Sequence, residues 1–182
     1  PLQVQPNRTA HVTNPTGTAC FSGMDIKGTV TFDPGVYYIN GGSFNAGAQA
    51  NISGSGVTFI LTSNNAGSNG SSVATINMNG GAQVNLTAPS SGTYSGILFY
   101  QDRRASAGVT NSVSGNSSSL LQGAIYTPKQ NLQFTGNTGM NSNCLQLVAV
   151  DVTFTGNSTI SNVCPSNSGT KAISGVHIRL VG

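Results

Sequence analysis

A repeat of 20 residues constrains the fold of this chain more than any other feature of its sequence. Residues 132–137 (LQFTGN) match residues 152–157 (VTFTGN) at that offset, and the same offset separates Cys144 from Cys164. A fixed period of this length is typical of solenoids, in which each coil stacks on the coil before it. About 20 residues suffice for three short strands and their corners. The repeat therefore predicts a three-sided β-solenoid.

Short runs of alternating apolar and polar residues recur along the chain, and each run ends at a turn signal. Residues 30–32 (VTF) precede a DPG turn, and residues 36–39 (VYYI) precede an NGG turn. Such alternation predicts strands with one buried and one exposed face, and Gly and Asn tolerate the positive φ of tight corners. We therefore predict an all-β fold, a right-handed parallel β-helix with coils of about 20 residues. A β-sandwich of about seven to nine longer strands is the alternative.

The β-helix makes a specific prediction about the cysteines. Residues one coil apart lie about 4.8 Å from each other, which is within the Cα separation of about 4.4–6.8 Å that disulfides need. We therefore predict a disulfide between Cys144 and Cys164, with two buried free thiols as the alternative. Cys20 is then free or pairs outside this chain. A disulfide favours a location outside the reducing cytoplasm, in the periplasm or at the cell surface.

The first residues of the chain differ in character from the rest. Residues 1–19 contain three prolines and little periodicity, so we expect an extended lead-in to a single β-helix domain over residues 20–182. The start at Pro1 is interpreted as a processed chain or an excised domain, which leaves an upstream anchor open. A membrane-spanning helix needs about 20 apolar residues, and every uninterrupted apolar run of this sequence is much shorter. Self-association through the solenoid ends is a further expectation, because unpaired strand edges invite pairing.

Ionisable groups are scarce in this chain. Charged residues make up 6% of the sequence, against about 25% in an ordinary soluble domain. The acids are Asp25, Asp33, Asp102 and Asp151. Since most acid–base catalysis needs such groups, we predict a non-enzymatic protein without cofactor or metal. We expect His11 and His177 to be solvent-facing polar residues, and the lack of a basic stripe argues against nucleic-acid binding.

Several segments together resemble a known family. They are residues 20–28 (CFSGMDIKG), 32–42 (FDPGVYYINGG), 56–61 (GVTFIL), 96–103 (GILFYQDR), 121–128 (LQGAIYTP) and 176–180 (VHIRL). From about residue 20 to its end, the chain resembles the C-terminal region of TadG-like proteins, which are associated with assembly of the bacterial Tad (Flp) pilus. The resemblance implies an extracytoplasmic structural or interaction module whose partners are other proteins of a pilus or envelope assembly. It carries no catalytic residues, and the family's N-terminal transmembrane segment has no counterpart here.

A carbohydrate-binding or carbohydrate-cleaving β-helix is the alternative function. Asp102 with Arg103 and Arg104 forms the one compact charged cluster of the sequence, just beyond Tyr100. Tyrosine rings stack on sugars, and a carboxylate beside an arginine suits uronate polymers, so the candidate glycan site is Tyr100, Asp102 and Arg103. A loop ion pair is the other interpretation of the charges. A less favoured option is an ice-binding face of outward threonines, for which the candidates are Thr31, Thr58, Thr135, Thr153 and Thr155.

Overall fold

The chain folds into a β-solenoid with three parallel sheets. The computed structural model describes residues 1–136, 141–156, 159–161, 164–166 and 168–170. Sheet A contains β1 (Leu2–Val4), β4 (Met24–Ile26), β7 (Ser43–Ala46), β10 (Thr75–Met78), β13 (Thr110–Gly115), β15 (Asn131–Gly136) and β18 (Val152–Gly156).

The second and third sheets form the other two sides of each coil. Sheet B contains β2 (Thr9–Val12), β5 (Thr29–Phe32), β8 (Asn51–Ser55), β11 (Gln83–Thr87), the first part of β14 (Leu120–Thr127), β16 (Asn141–Asn143) and β19 (Thr159–Ser161). Sheet C contains β3 (Thr18–Phe21), β6 (Gly35–Asn40), β9 (Val57–Thr62), β12 (Ile97–Gln101), the last part of β14 and β17 (Leu145–Ala149). A 3₁₀ turn, Gly70–Ser72, lies in the loop between β9 and β10.

Each strand pairs in parallel with the corresponding strand of the next coil. The solenoid has about seven turns with a spacing near 22 residues. The predicted parallel solenoid is therefore confirmed, and the β-sandwich alternative is wrong. Loops inserted at residues 63–74 and 88–96 lengthen one coil, so that Phe59 pairs in register with Phe99, 40 positions later. A third loop, residues 102–109, lengthens the coil that follows.

The interior is filled by apolar side chains that stack from coil to coil. Phe59 lies at the centre of this packing, with its ring centroid 5.5 Å from that of Tyr37 and 5.1 Å from that of Phe99. The rings of Phe44 and Phe32 contact the Phe59 ring edge-on, with centroid distances of 4.9 Å and 5.3 Å. All five rings are buried. Burial of a large apolar side chain contributes about 1.5–3 kcal/mol, so this cluster is a main source of stability.

The amino-terminal residues do not form the extended lead-in that we expected. They supply β1, β2 and β3, the first coil, which pairs with the second coil on all three sheets. Pro6 and Pro15 lie in the turns between these strands, where they interrupt no hydrogen-bonded ladder. The prolines therefore mark corners, and β1, β2 and β3 belong to the solenoid. The final strand expected over residues 176–180, with His177, lies outside the described residues.

The predicted disulfide between Cys144 and Cys164 is present. Their Cα atoms are 4.4 Å apart, and Cys144 is fully buried in the turn between β16 and β17. The alternative of two free thiols is therefore wrong. Cys20 is free and exposed. No helix among the described residues is long and apolar enough to cross a bilayer.

Removal of the disulfide should destabilise the carboxy-terminal coils. Because the bridge closes a loop across 20 positions, we expect Cys144→Ser with Cys164→Ser to lower the free energy of unfolding by about 3 kcal/mol in urea titrations. Cys20→Ser is the control and should leave the transition unchanged. Alkylation of the unfolded, unreduced wild type should modify Cys20 alone. Modification of Cys144 there would contradict the bridge.

Truncation of the central aromatic ring should cost more than truncation of a peripheral one. We expect Phe59→Ala to lower the free energy of unfolding by about 3–5 kcal/mol, because it leaves a cavity among four other rings. Phe154, in β18, is 52% exposed, so Phe154→Ala should cost about 1 kcal/mol or less. Denaturation followed by circular dichroism measures both, and equal losses would contradict the assignment of Phe59 to the core.

Candidate functional site

The outer surface of sheet C differs from that of the other sheets. One outward row along the solenoid axis consists of Cys20, Tyr38, Ile60, Tyr100, Tyr126 and Val148. The corresponding row on sheet A consists of Gln3, Asp25, Asn45, Asn77, Ser112, Gln133 and Thr153. Strand alternation places both rows outside, because their sequence neighbours point into the core. Sheet C therefore presents an apolar and aromatic row where sheet A is polar.

Two tyrosines at the centre of this row pack against each other and against a neighbouring arginine. The rings of Tyr100 and Tyr126 stack with centroids 5.1 Å apart and planes inclined by 14°. The Cζ atom of Arg103 lies 5.5 Å from the centroid of the Tyr126 ring. A guanidinium in this position interacts with the ring quadrupole, which favours one side-chain orientation.

The carboxylate next to this stack is fully engaged by hydrogen-bond donors. Arg104 donates from Nε to Asp102 Oδ1 at 2.9 Å and from Nη2 to Oδ2 at 2.5 Å. The backbone NH of Arg104 also reaches Oδ1 at 3.0 Å, and the Thr62 hydroxyl donates to Oδ2 at 2.9 Å. This bidentate geometry is the strongest that an arginine and a carboxylate can adopt. Asp102 therefore holds Arg104 and the loop that carries it.

These hydrogen bonds change the acidity of Asp102. The guanidinium of Arg104 lowers the pKa of Asp102 far below its ordinary value of 3.8, and partial burial opposes this shift. The backbone NH of Arg104 and the hydroxyl of Thr62 lower the pKa further. Asp102 is thus ionised at neutral pH and has neither a proton to donate nor the basicity to accept one.

Buried amides fix the loop that carries the two arginines. Gln101, directly before Asp102, donates to Gln130 Oε1 at 2.8 Å and to the carbonyl of Ala74 at 3.0 Å. Asn111 donates to the same Gln130 oxygen at 2.9 Å, and Gln130 donates to the carbonyl of Ser106 at 3.0 Å. Since the three amides are at most 1% exposed, the network ties the inserted loops to the core.

Two inserted loops also contact each other at Gly70. The NH of Ser106 donates to the carbonyl of Gly70 at 3.1 Å. A Cβ atom at Gly70 would overlap the carbonyl oxygen of Arg104, so glycine permits this close approach. The loop over residues 102–109 is therefore held from two sides.

An open depression of about 390 Å³ lies between these groups, lined by Ile60, Thr62, Tyr100, Asp102, Arg103 and Arg104. We call these six residues together with Tyr126 the tyrosine–arginine patch. Beyond it along the row, the hydroxyls of Tyr38 and Tyr94 are 3.4 Å apart. This contact brings the loop over residues 88–96 against sheet C.

The structure brings the three candidate residues of the glycan site together, with one difference in pairing. Tyr100, Asp102 and Arg103 line the same depression, but Asp102 pairs with Arg104, so the loop ion pair is present. Tyr126 was not part of the predicted glycan site. It pairs in register with Tyr100, but the inserted loop over residues 102–109 lengthens their separation in the sequence and hides this register.

The other candidate residues lie apart from the patch. Asp25 pairs with Lys27 on sheet A, and Asp33 accepts from His11 at 2.7 Å. Asp151 is exposed beside Thr153. Within the described ranges, no three His, Cys, Asp or Glu side chains lie close enough to hold a metal ion.

The threonines proposed for an ice-binding face do not share one surface. Thr31 lies on sheet B, and Thr58 lies on sheet C with its hydroxyl buried against the carbonyl of Ile97. Thr135, Thr155 and Thr153 lie on sheet A. The structure therefore lacks the regular threonine array that such a face requires among these candidates.

The fold and the site together define a β-solenoid with an aromatic and basic patch on one face. Comparisons of the chain with family models, curated proteins and solved structures found no match. The resemblance to TadG-like proteins and the expected self-association through the solenoid ends therefore stay predictions.

Loss of the Asp102 charge should destabilise the fold in a pH-dependent manner. The folded-state pKa of Asp102 is lowered, so its contribution is complete above the unfolded-state pKa and is lost as the pH falls toward the folded-state value. We expect Asp102→Asn to lower the free energy of unfolding by about 1 kcal/mol near neutral pH, since the arginine is solvent-exposed. The difference from wild type should shrink below about pH 4.

The control for this experiment is Asp151→Asn, which removes an exposed carboxylate of the same type. Its unfolding free energy should follow that of the wild type across the whole pH range in urea titrations. A difference between Asp102→Asn and wild type that stays constant into strong acid would contradict the assignment.

Proposed function

We propose that this protein is an extracytoplasmic, non-catalytic binding module of a Tad-type pilus or a related cell-surface assembly. In this proposal the solenoid is a rigid support, and the tyrosine–arginine patch is its contact surface. The observation that carries the proposal is the Tyr100–Tyr126 stack with Arg103 above it, on sheet C, whose outward row is apolar and aromatic.

The composition of the patch supports a role in binding. Tyrosine and arginine are enriched at the centres of protein interfaces, where they combine large contact area with hydrogen-bonding groups. The patch also combines apolar area at Ile60 and Tyr100 with a charge at Arg103. Since its loop is fixed by the buried amides around Gln101, little conformational entropy is lost on binding.

The state of Asp102 supports a non-catalytic role for the patch. A glycosidase of the usual kind needs two carboxyl groups, one of which donates a proton to the leaving group. Asp102 is ionised and accepts four hydrogen bonds from Arg104 and Thr62. Among the residues that the structure describes, Asp102 is the one carboxylate that lines the depression.

The Cys144–Cys164 bridge supports a location outside the reducing cytoplasm. Disulfides persist in secreted, periplasmic and cell-surface proteins and are rare in the cytosol. This preference agrees with the compartment that the TadG-like resemblance implies.

Carbohydrate binding is the second candidate function. It is favoured by the convergence of Tyr100, Asp102 and Arg103 in one depression. It is disfavoured by the arrangement of the tyrosines, because sugars stack on the free face of an aromatic ring. Tyr100 and Tyr126 cover one face of each other, and Arg103 lies over the Tyr126 ring.

A photocrosslinking experiment tests the proposed function. The photoreactive residue p-benzoylphenylalanine replaces Tyr126 in the secreted protein, in bacteria that assemble a Tad-type pilus. The matched control carries the probe at Gln133, an outward position on sheet A. We expect ultraviolet light to link the protein to a pilus or envelope protein from position 126 and not from position 133.

Equal protein adducts from both positions, or adducts from neither, would contradict the proposal. Adducts from position 126 that contain only polysaccharide would favour the carbohydrate alternative. The products are distinguished by mass spectrometry of the linked peptides.

A further inference from the structure

Arg103 carries a charge that no described acidic residue neutralises. The ion pairs in the described ranges join His11 to Asp33, Lys27 to Asp25 and Arg104 to Asp102. Asp102, the carboxylate nearest in sequence to Arg103, is thus engaged by Arg104. The depression therefore has a net positive charge that is located on Arg103.

The guanidinium of Arg103 is exposed but oriented. It lies over the Tyr126 ring, which is itself held by stacking on Tyr100. The side chains of Tyr126 and Tyr100 also interact with this guanidinium and raise the pKa of Arg103. A guanidinium carries five N–H donors, so one edge of it stays available for further hydrogen bonds. The natural ligand of such an edge is a carboxylate, which accepts two parallel hydrogen bonds.

Apolar surface lies directly beside this cation. Ile60 forms part of the floor of the depression and is 7% exposed, and it is adjacent in register to both Tyr38 and Tyr100. A ligand that reaches Arg103 therefore also contacts an aliphatic side chain and the edges of aromatic rings. The depression fits a carboxylate with an apolar group close to it.

We propose that the tyrosine–arginine patch binds an acidic peptide segment of a partner protein. An Asp or Glu carboxylate of that segment pairs with Arg103, and a neighbouring apolar side chain packs against Ile60 and Tyr100. This inference rests on the proposed function and specifies the chemistry of its partner.

The same observations favour a peptide over an acidic polysaccharide. A uronate polymer supplies the carboxylate but has no aliphatic side chain for Ile60, and it binds best to an aromatic ring with a free face. The stacked pair Tyr100–Tyr126 presents mainly ring edges along the row. An extended peptide alternates its side chains and can supply a charge and an apolar group at neighbouring positions.

Peptide selection tests the inference without knowledge of the natural partner. A library of random nine-residue peptides on phage is selected against the full chain and, separately, against Arg103→Ala and Arg8→Ala. Arg8→Ala is the matched control, because it removes the same charge from an exposed residue of the first coil. We expect wild type and Arg8→Ala to enrich peptides with Asp or Glu beside an apolar residue, and Arg103→Ala to lose the acidic preference.

The affinity of a selected peptide is then measured by fluorescence anisotropy. We expect Arg103→Ala, or replacement of the peptide's Glu by Gln, to weaken binding about ten-fold, and added salt to weaken wild-type binding. Equal acidic enrichment with Arg103→Ala, or failure to enrich any acidic peptide, would overturn the inference. Displacement of the labelled peptide by a lower concentration of tetragalacturonate than of unlabelled peptide would also overturn the inference.

The two proposals fail in different ways. If photoprobes at Tyr126 capture an envelope protein while selection shows no dependence on Arg103, the proposed function stands and the acidic partner is wrong. If the photoprobe captures nothing, the binding module itself is wrong. Thermal melts of the arginine variants confirm that each remains folded.

Discussion

The stacking of buried rings around Phe59 is the interaction on which the rest of the structure depends. Phe59 lies in register with Tyr37 of the preceding coil and with Phe99 of the following coil, so its ring packs against both neighbouring coils. A chain with 6% charged residues has little other than apolar burial and backbone hydrogen bonds to hold its coils together. The parallel hydrogen bonds between strands satisfy the backbone N–H and C=O groups. The packing of the buried rings around Phe59 favours the register in which these rings stack.

The surface features arise where the solenoid departs from its regular coil. Residues 63–74 and 102–109 are inserted at one corner, outside the stacked interior, so they lengthen a coil while its strands still pair in parallel. The β12–β14 ladder has one irregularity, between Ile97 and Phe99. The carbonyl groups of Ala74 and Ser106 in these loops accept hydrogen bonds from the buried amides of Gln101 and Gln130. The same network holds the backbone of the loop that carries Arg103, which in the proposed function is part of the contact surface.

Two adjacent arginines have different roles for a geometric reason. The turn after β12 places the backbone NH and the guanidinium of Arg104 against Asp102, which leaves Arg103 over the outer face of sheet C. One arginine therefore stabilises the loop, and the other has no ion pair with a described acidic residue. A carboxylate that is saturated in this way repels an incoming anion less than an unpaired one would.

The sequence by itself determined the coil, the inward and outward faces of its strands and the disulfide. Coils without an inserted loop differ slightly in length, since Leu2 pairs with Met24 and Thr18 pairs with Val36. The offset between β15 and β18 is the same 20 residues that separate Cys144 from Cys164, which is why the sequence predicts their disulfide. Only the tertiary structure decided which residues meet across the insertions, such as Phe59 with Phe99 and Tyr100 with Tyr126. Loop length shifts the sequence separation but not the spatial register, because hydrogen bonding and core packing set that register and the corners absorb the extra residues.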